Sequence, residues 1–171
     1  SSTVLYGDQT YKAEPGGGGK ILQVQYTQVQ AGDSHATFST TSSSYVDSGI
    51  SVTITPAATS SKILLNWYNG QSLEGTLGVN QRLKAMKDVG GAGDTEVMNV
   101  TSGDDGWAYW IHYYTGSSIS SYMPVLSCQF IDSPSTTSEI EYKIFCLTSG
   151  AASCMFVGNA AYCFSATEIG A

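Results

Sequence analysis

The chain has 171 residues and a net charge of −7, and only 12% of its residues are charged, about half the share of an average globular protein. Serine, threonine and glycine fill the difference, with 24, 17 and 19 residues. This composition, which includes 19 aromatic residues, excludes a disordered chain and a helical bundle, and the length suits one domain with a sizeable core.

The first nineteen residues differ from the rest of the chain. Residues 1–14 are polar apart from four scattered apolar or aromatic side chains, which are Val4, Leu5, Tyr6 and Tyr11. Pro15 and a run of four glycines follow, namely Gly16, Gly17, Gly18 and Gly19. Consecutive glycines have no preferred conformation and predict a flexible joint. We expect an extended N-terminal arm over 1–19, with a reach of about 60 Å, and a folded domain over 20–171; a frayed terminus is the alternative.

From Lys20 onward, short apolar and polar alternations separated by turn residues predict a succession of strands. The predicted strands are residues 22–27, 35–40, 50–55, 62–68, 77–86, 95–100, 107–114, 122–131, 140–147, 155–157 and 161–169. The continuous apolar run at 62–68 is typical of a central strand and precedes a predicted turn at Asn69-Gly70. A helix is the alternative for residues 79–88, but the flanking residues favour a strand. The spacing predicts an all-β, antiparallel, jelly-roll-like sandwich.

The basic residues are too few and too scattered for a nucleic-acid surface. Of seven Lys and Arg residues, only Arg82, Lys84 and Lys87 cluster, whereas a phosphate-binding protein concentrates such residues to release counterions. No stretch approaches the roughly 18 apolar residues of a membrane span. We therefore expect neither nucleic-acid binding nor membrane insertion.

Catalytic and metal-ligating patterns are missing from the sequence. His35 and His112 are far apart, and no nucleophile-elbow motif, Cys-x-x-Cys pair or calcium loop accompanies them. Glu139 and Glu141 are two residues apart on a predicted strand, where an exposed polar face is the simplest interpretation. We expect no enzymatic activity, no catalytic or metal-binding residues and no cofactor.

The four cysteines, Cys128, Cys146, Cys154 and Cys163, lie in the last third of the chain. Oxidation would allow three pairings. Cys146 is in phase with apolar neighbours on its predicted strand, as a small buried hydrophobic residue would be. We therefore expect free thiols.

Residues 107–114 form the densest aromatic run, in which Trp107, Tyr109 and Tyr113 share one face of a strand and Trp110 lies on the other. Core packing or a subunit interface is one interpretation, because Tyr and Trp are enriched at interfaces. A sugar-binding platform is the other, because aromatic rings stack on pyranose faces.

Two blocks carry a family resemblance: residues 37–64, which include Ile54-Thr55-Pro56, and residues 130–144, which begin Phe130-Ile131-Asp132-Ser133-Pro134. Together with the closing residues 166–169 they resemble a domain that recurs in tailed bacteriophages, many from marine and cyanobacterial hosts. It is found at tail-fibre tips and in head-fibre or decoration proteins. The resemblance covers about residues 20–170 and is least over 70–122. It implies a jelly-roll-like sandwich, often a homotrimer, with a structural or attachment role and no enzymatic activity.

The leading hypothesis is accordingly a virion protein, located on the capsid surface as a decoration, cement or head-fibre knob protein. Its arm would dock on the major capsid protein or another virion protein through Val4, Leu5, Tyr6 and Tyr11. The alternative is the receptor-binding tip of a tail fibre that recognises a host surface glycan through Trp107, Tyr109, Trp110 and neighbouring loops. A secreted adhesive sandwich shares the composition but would carry oxidised cysteines.

Overall fold

The computed structural model describes residues 3–5, 11–13, 19–29, 38–75, 80–97, 119–122, 125–149, 153–156 and 162–170. Within these ranges the chain forms thirteen β-strands. They are β1 (Thr3–Leu5), β2 (Tyr11–Ala13), β3 (Ile21–Val29), β4 (Phe38–Thr40), β5 (Val46–Ile54), β6 (Lys62–Gly75), β7 (Asn80–Val89), β8 (Asp94–Glu96), β9 (Ile119–Tyr122), β10 (Val125–Asp132), β11 (Ile140–Ser149), β12 (Ser153–Phe156) and β13 (Tyr162–Ile169). Among the described residues, no helix is long and apolar enough to cross a membrane.

The larger sheet is built around β6, the longest strand. The first half of β6 pairs with β13 on one edge and β10 on the other, and its second half pairs with β12 and β9. β3 adds to β13, and β4 adds to β12. All of these pairings are antiparallel. The prediction of a central strand at 62–68 is therefore confirmed.

β6 also runs through Asn69-Gly70, so the predicted turn at this dipeptide is wrong. Asn69 pairs with Leu126 on one side and Tyr162 on the other, and Gly70 pairs with Val125. Asn-Gly favours a turn through local backbone preference. Here the neighbouring strands offer hydrogen bonds on both edges, and these bonds hold the dipeptide extended.

The second sheet has the order β5-β11-β7-β8, and its pairings are also antiparallel. β7 occupies the segment for which a helix was the alternative, so the strand prediction there is confirmed. A bulge interrupts the β5–β11 pair, where Ile144 faces residues 48–50. Gly49 at this bulge has a φ of +74°, and the Ser48 hydroxyl donates a 2.6 Å hydrogen bond to the Ile144 carbonyl. The bulge is thus fixed by a left-handed glycine and a buried side-chain bond.

The core lies between the two sheets and is filled by alternate residues of their strands. Its large members include the fully buried Trp67, Tyr142 and Phe164. The ring centroids of Trp67 and Phe164 are 5.8 Å apart in an edge-to-face arrangement, and those of Trp67 and Tyr162 are 5.7 Å apart. Two antiparallel sheets around one core confirm the predicted β-sandwich.

β3 is a strand as predicted, but its apolar face points outward. The burial pattern leaves Leu22, Val24 and Tyr26 exposed, while the polar face that carries Gln23 and Thr27 points inward. The Thr27 hydroxyl donates a 2.6 Å hydrogen bond to the Ser51 carbonyl. Gln23 Nε2 donates one of 2.7 Å to the Thr55 carbonyl. The Ser51 carbonyl lies in the edge strand β5 and the Thr55 carbonyl directly follows it, so the polar face of β3 ties the two sheets together along one side of the sandwich.

The N-terminal segment contains a two-stranded antiparallel sheet of its own. Val4 of β1 pairs with Lys12 of β2, and Leu5 pairs with Tyr11. Among the described strands, β1 and β2 pair only with each other. The sequence predicts an extended arm, and the structure gives two extended pieces that turn back on one another, because each supplies the backbone hydrogen bonds that the other needs.

Candidate functional site

Two carboxylates are buried among the described residues, Asp132 at 6% exposure and Glu168 at 0%. A buried charge is costly unless it is paired and hydrogen-bonded, so each of these groups needs partners. Their surroundings therefore indicate whether they serve the fold or a reaction.

Asp132 at the end of β10 lies in what we call the Asp132 cluster, formed with Lys87 and Tyr142. Lys87 Nζ lies 2.9 and 2.8 Å from the two carboxylate oxygens, and the Tyr142 hydroxyl donates a 2.8 Å hydrogen bond to Oδ2. Burial, the negative charge of Asp132 and this hydrogen bond all raise the pKa of Tyr142 far above its ordinary value. Because β10 belongs to one sheet and β7 and β11 to the other, the cluster joins the two sheets.

Glu168 near the end of β13 has partners on two other segments. Gln23 Nε2 donates a 2.6 Å hydrogen bond to Oε2, and the Ala57 backbone N–H donates one of 2.7 Å to Oε1. Burial alone would raise the pKa of Glu168, but the donors around it, which also include the nearby Ser61 hydroxyl, outweigh burial and lower the pKa. The carboxylate thus anchors β3 and the turn after β5 as a charged acceptor.

Both buried carboxylates therefore hold strands together. In the described part of the chain, no group of three or more His, Cys, Asp or Glu side chains is arranged to hold a metal ion. Cys128 and Cys163 carry free thiols, and burial raises the pKa of Cys128. Cys146 is fully buried in the core, as its phase on the predicted strand indicated.

The outward face of the second sheet, which we call the charged face, carries paired ions. Lys143 Nζ lies 2.9 Å from Asp94 Oδ1 and 3.3 Å from Glu141 Oε2. The hydrogen bond to Asp94 is the main cause that raises the pKa of Lys143. Lys84 Nζ lies 3.6 Å from Glu96 Oε2 and 4.3 Å from the centre of the Tyr45 ring. Lys84 points outward, whereas Lys87 points inward to Asp132. Because each of these two lysines is paired with a carboxylate, they do not form a basic patch.

The outward face of β3, β13, β6 and β10 is different, and we call it the apolar face. One row of it crosses all four strands through Val24, Thr167, Leu64 and Ile131. Of the seven large hydrophobic residues reported as exposed in the described structure, six lie on this face, and Val46 is the other. The six, with their exposed fractions, are Ile21 (61%), Leu22 (45%), Val24 (51%), Tyr26 (65%), Tyr68 (47%) and Ile131 (51%).

A bulge in β3 enlarges the apolar face at one end. Glu168 pairs with Gln23 and Ile169 pairs with Ile21, so Leu22 is an extra residue opposite β13. Both Ile21 and Leu22 consequently lie beside the outward Ile169, where regular alternation would turn one of them inward. The only charged side chain among the outward residues 62–68 of β6 and 163–169 of β13 is Lys62, at the end of the face.

The residues singled out in the sequence fall partly within the described ranges. Val4 and Leu5 lie on β1 and Tyr11 lies on β2, whereas Tyr6 lies outside the described residues. Gly19 has a φ of +98° and donates a 2.8 Å hydrogen bond to the Gly170 carbonyl, so it begins the sandwich. The other three glycines of the joint and the aromatic run lie outside; these are Gly16, Gly17, Gly18, Trp107, Tyr109, Trp110 and Tyr113.

Sequence reasoning missed the apolar face and the Asp132 cluster. The alternation in β3 was visible, but alternation alone does not tell which face is covered. The predicted strand over 122–131 ends just before Asp132, and the partners of this residue, Lys87 and Tyr142, are 45 and 10 residues away in the sequence. The polar side chains on the other face of β3 were a usable signal, because Gln23 and Thr27 can donate hydrogen bonds to backbone carbonyls at a sheet edge.

No protein-family model matches the chain, and no curated protein matches it in sequence. Among solved structures it is similar to one of the infectious bursal disease virus Gt strain, with a TM-score of 0.40 and 12% identity over 87% of this chain and 37% of that chain. It is also similar to the crystal structure of the infectious bursal disease virus VP2 subviral particle, with a TM-score of 0.39 and 14% identity over 88% of this chain and 42% of that chain. The chain thus spans about two fifths of the length of these viral chains. These values identify no family for it.

Proposed function

We propose that this chain is a structural protein of a bacteriophage virion, a decoration, cement or head-fibre knob protein on the capsid surface. In this proposal the sandwich forms the knob and assembles as a homotrimer. The N-terminal segment docks on the major capsid protein or another virion protein. The sequence resemblance to phage surface domains supports the virion role, and the β-sandwich is the fold that this resemblance implies.

The observation that carries the proposal is the two-part architecture of the chain. A small sheet, β1–β2, precedes the glycine joint, and the sandwich follows it. An isolated two-stranded sheet is only marginally stable in water, so it gains from packing on another surface. Its outer edges pair with no other strand in the part of the chain that the structure describes, and such edges can add to a strand of a partner. We propose that Val4, Leu5, Tyr6 and Tyr11 make this contact.

Removal of residues 1–18, which leaves Gly19 and its hydrogen bond to Gly170 in place, tests the proposal. We expect the shortened chain to keep the far-ultraviolet circular dichroism and the oligomeric mass of the sandwich, because the core residues begin at Val29. It should no longer cosediment with particles of the phage that carries the gene, stripped of the native protein. A chain that lacks only Ser1 and Ser2 is the matched control and should bind normally.

Each outcome decides one part of the proposal. Retained binding by the shortened chain contradicts docking through the N-terminal segment. Failure of the full chain to bind any virion component contradicts the virion role itself.

A further inference from the structure

We propose that the apolar face is the surface through which copies of this chain bind one another. The face comprises the outward side chains of β3, β13, β6 and β10. Its exposed hydrophobic residues, which we call its anchors, include Val24, Tyr26, Tyr68 and Ile131. The contact joins the same face of two copies, a twofold pairing that is separate from the threefold assembly proposed above. Which surface they bury is inferred from this structure alone.

The size of the face is the first argument. Its six exposed anchors are each about half exposed and contribute on the order of 100 Å² each, or roughly 600 Å² per copy. That value is at the upper end for the largest apolar patch of an ordinary monomer, about 300–600 Å². Two such faces together bury about 1,200 Å², the size at which stable specific interfaces begin. Contact between two copies therefore suffices without a further partner.

Charge is the second argument, and it favours a copy of this chain over a charged partner. The chain carries a net charge of −7, so copies repel each other over most of their surface. The row of Val24, Thr167, Leu64 and Ile131 contains no ionisable group, and two such rows meet without burying a charge. The face offers a charged ligand only Lys62 at its margin. The charged face, by contrast, already pairs Lys84 and Lys143 with carboxylates.

The arrangement of the edges is the third argument. In the first half of the larger sheet, β3 and β10 are the outer strands, and both carry exposed anchors of the face. The face is therefore open from one edge of this four-stranded part to the other. Tyr26 on β3 is 65% exposed, and an aromatic side chain of this kind is the anchor that interfaces favour. Association of copies would cover these side chains from both edges.

Lysine substitutions on the full-length chain test the proposal. Val24→Lys on β3 and Ile131→Lys on β10 each put an unpaired charge into the face while their side chains stay exposed in a single copy. Thr53→Lys is the matched control, because Thr53 is an exposed strand residue outside the apolar face. The oligomeric mass and the dissociation constant are measured by sedimentation equilibrium, and circular dichroism checks the fold.

We expect the wild-type chain to be oligomeric at micromolar concentration, and both face variants to weaken association by about tenfold or more. Thr53→Lys should leave the dissociation constant of the oligomer unchanged. A monomeric wild-type chain, or face variants that associate as tightly as the wild type, overturns the inference. Should one variant fail to fold, the other decides, because the two substitutions lie on different strands.

The proposed function and this inference can fail separately. A chain that associates through the apolar face but binds no virion component leaves the inference standing and contradicts the virion role. Conversely, a chain that binds particles while Val24→Lys and Ile131→Lys remain fully assembled contradicts the inference alone.

Discussion

At the scale of single residues, the interior polar groups of this sandwich link the two sheets through hydrogen bonds and an ion pair. Asp132 and Glu168 are both buried, and each accepts hydrogen bonds from at least one segment outside its own strand. Removing one member of such a set leaves its partners desolvated and unpaired, which costs more than the bond itself contributes. The two carboxylates therefore permit sharp tests of stability.

Substitution of Asp132 by alanine should destabilise the fold strongly. Lys87 would be left without its counter-ion and Tyr142 without its acceptor, and loss of one member of a buried ion pair costs about 3–5 kcal/mol. Urea denaturation followed by tryptophan fluorescence gives the free energy of unfolding. Asp94→Ala, which removes an exposed partner of Lys143, is the control and should cost about 1 kcal/mol or less. Equal losses in the two variants would contradict the role of the Asp132 cluster.

Glu168 should make the stability depend on pH in the acid range. Its pKa in the folded chain lies below the ordinary value of 4.5, so its hydrogen bonds favour the charged form. The resulting stability is present in full above the ordinary pKa and is lost as the pH falls through the lower, folded value. Between about pH 5 and pH 3, Glu168→Gln should therefore lose less of its free energy of unfolding than the wild type does.

The comparison needs only urea denaturation at several pH values. Glu139→Gln, at an exposed position, serves as the control and should follow the wild-type profile. Parallel profiles for the wild type and Glu168→Gln would show that Glu168 is not responsible for the loss of stability at low pH.

At the scale of strands, the local pattern predicted the positions of the strands well, but it did not give the orientation of β3. Alternation with a period of two is a local property, so nearly every described strand of the sandwich overlaps a predicted one. Orientation depends on what covers each face, and in the described structure the apolar side of β3 leaves Val24 and Tyr26 exposed. The turn predicted at Asn69-Gly70 failed for a related reason. Strands from the last third of the chain pair with β6 there, and the local sequence contains no sign of them.

The bulge in β5 offers a test at this scale. Gly49 has a φ of +74°, and nothing lies within 4 Å of the position that a Cβ atom would take. Gly49→Ala should therefore cost about 1–2 kcal/mol through backbone conformation alone. Gly49→Asn should cost less, because asparagine tolerates the left-handed region. Thermal denaturation measures both variants, and equal losses would contradict a conformational origin.

At the scale of the whole molecule, the two outer faces of the sandwich differ in polarity. One sheet presents paired ions such as Lys143 with Asp94, and this surface suits contact with water. The other presents the apolar face, whose exposed hydrophobic area reaches the upper end for the largest apolar patch of an ordinary monomer. Part of the low charge content of the sequence is thus located on this face, where Lys62 is the only charged side chain among the outward residues 62–68 and 163–169.

The candidate site could be predicted from the sequence only in part. The glycine joint and the apolar residues before it were recognisable from composition, since four glycines in a row are conspicuous at any position. The apolar face was not, because it brings together side chains from residues 21–26, 64–68 and 131 that share no local motif. Only the pairing of four strands makes them neighbours.

The central position of β6 also governs when the protein can fold during synthesis. A ribosome completes β6 at residue 75, but its partners on both edges, β9, β10, β12 and β13, all begin at residue 119 or later. Until those segments emerge, the strand that carries Ile63, Leu65 and Trp67 has none of its native ladder partners. Closure of the sandwich is therefore a late event in translation, and the interval before it is when the nascent chain is most open to aggregation.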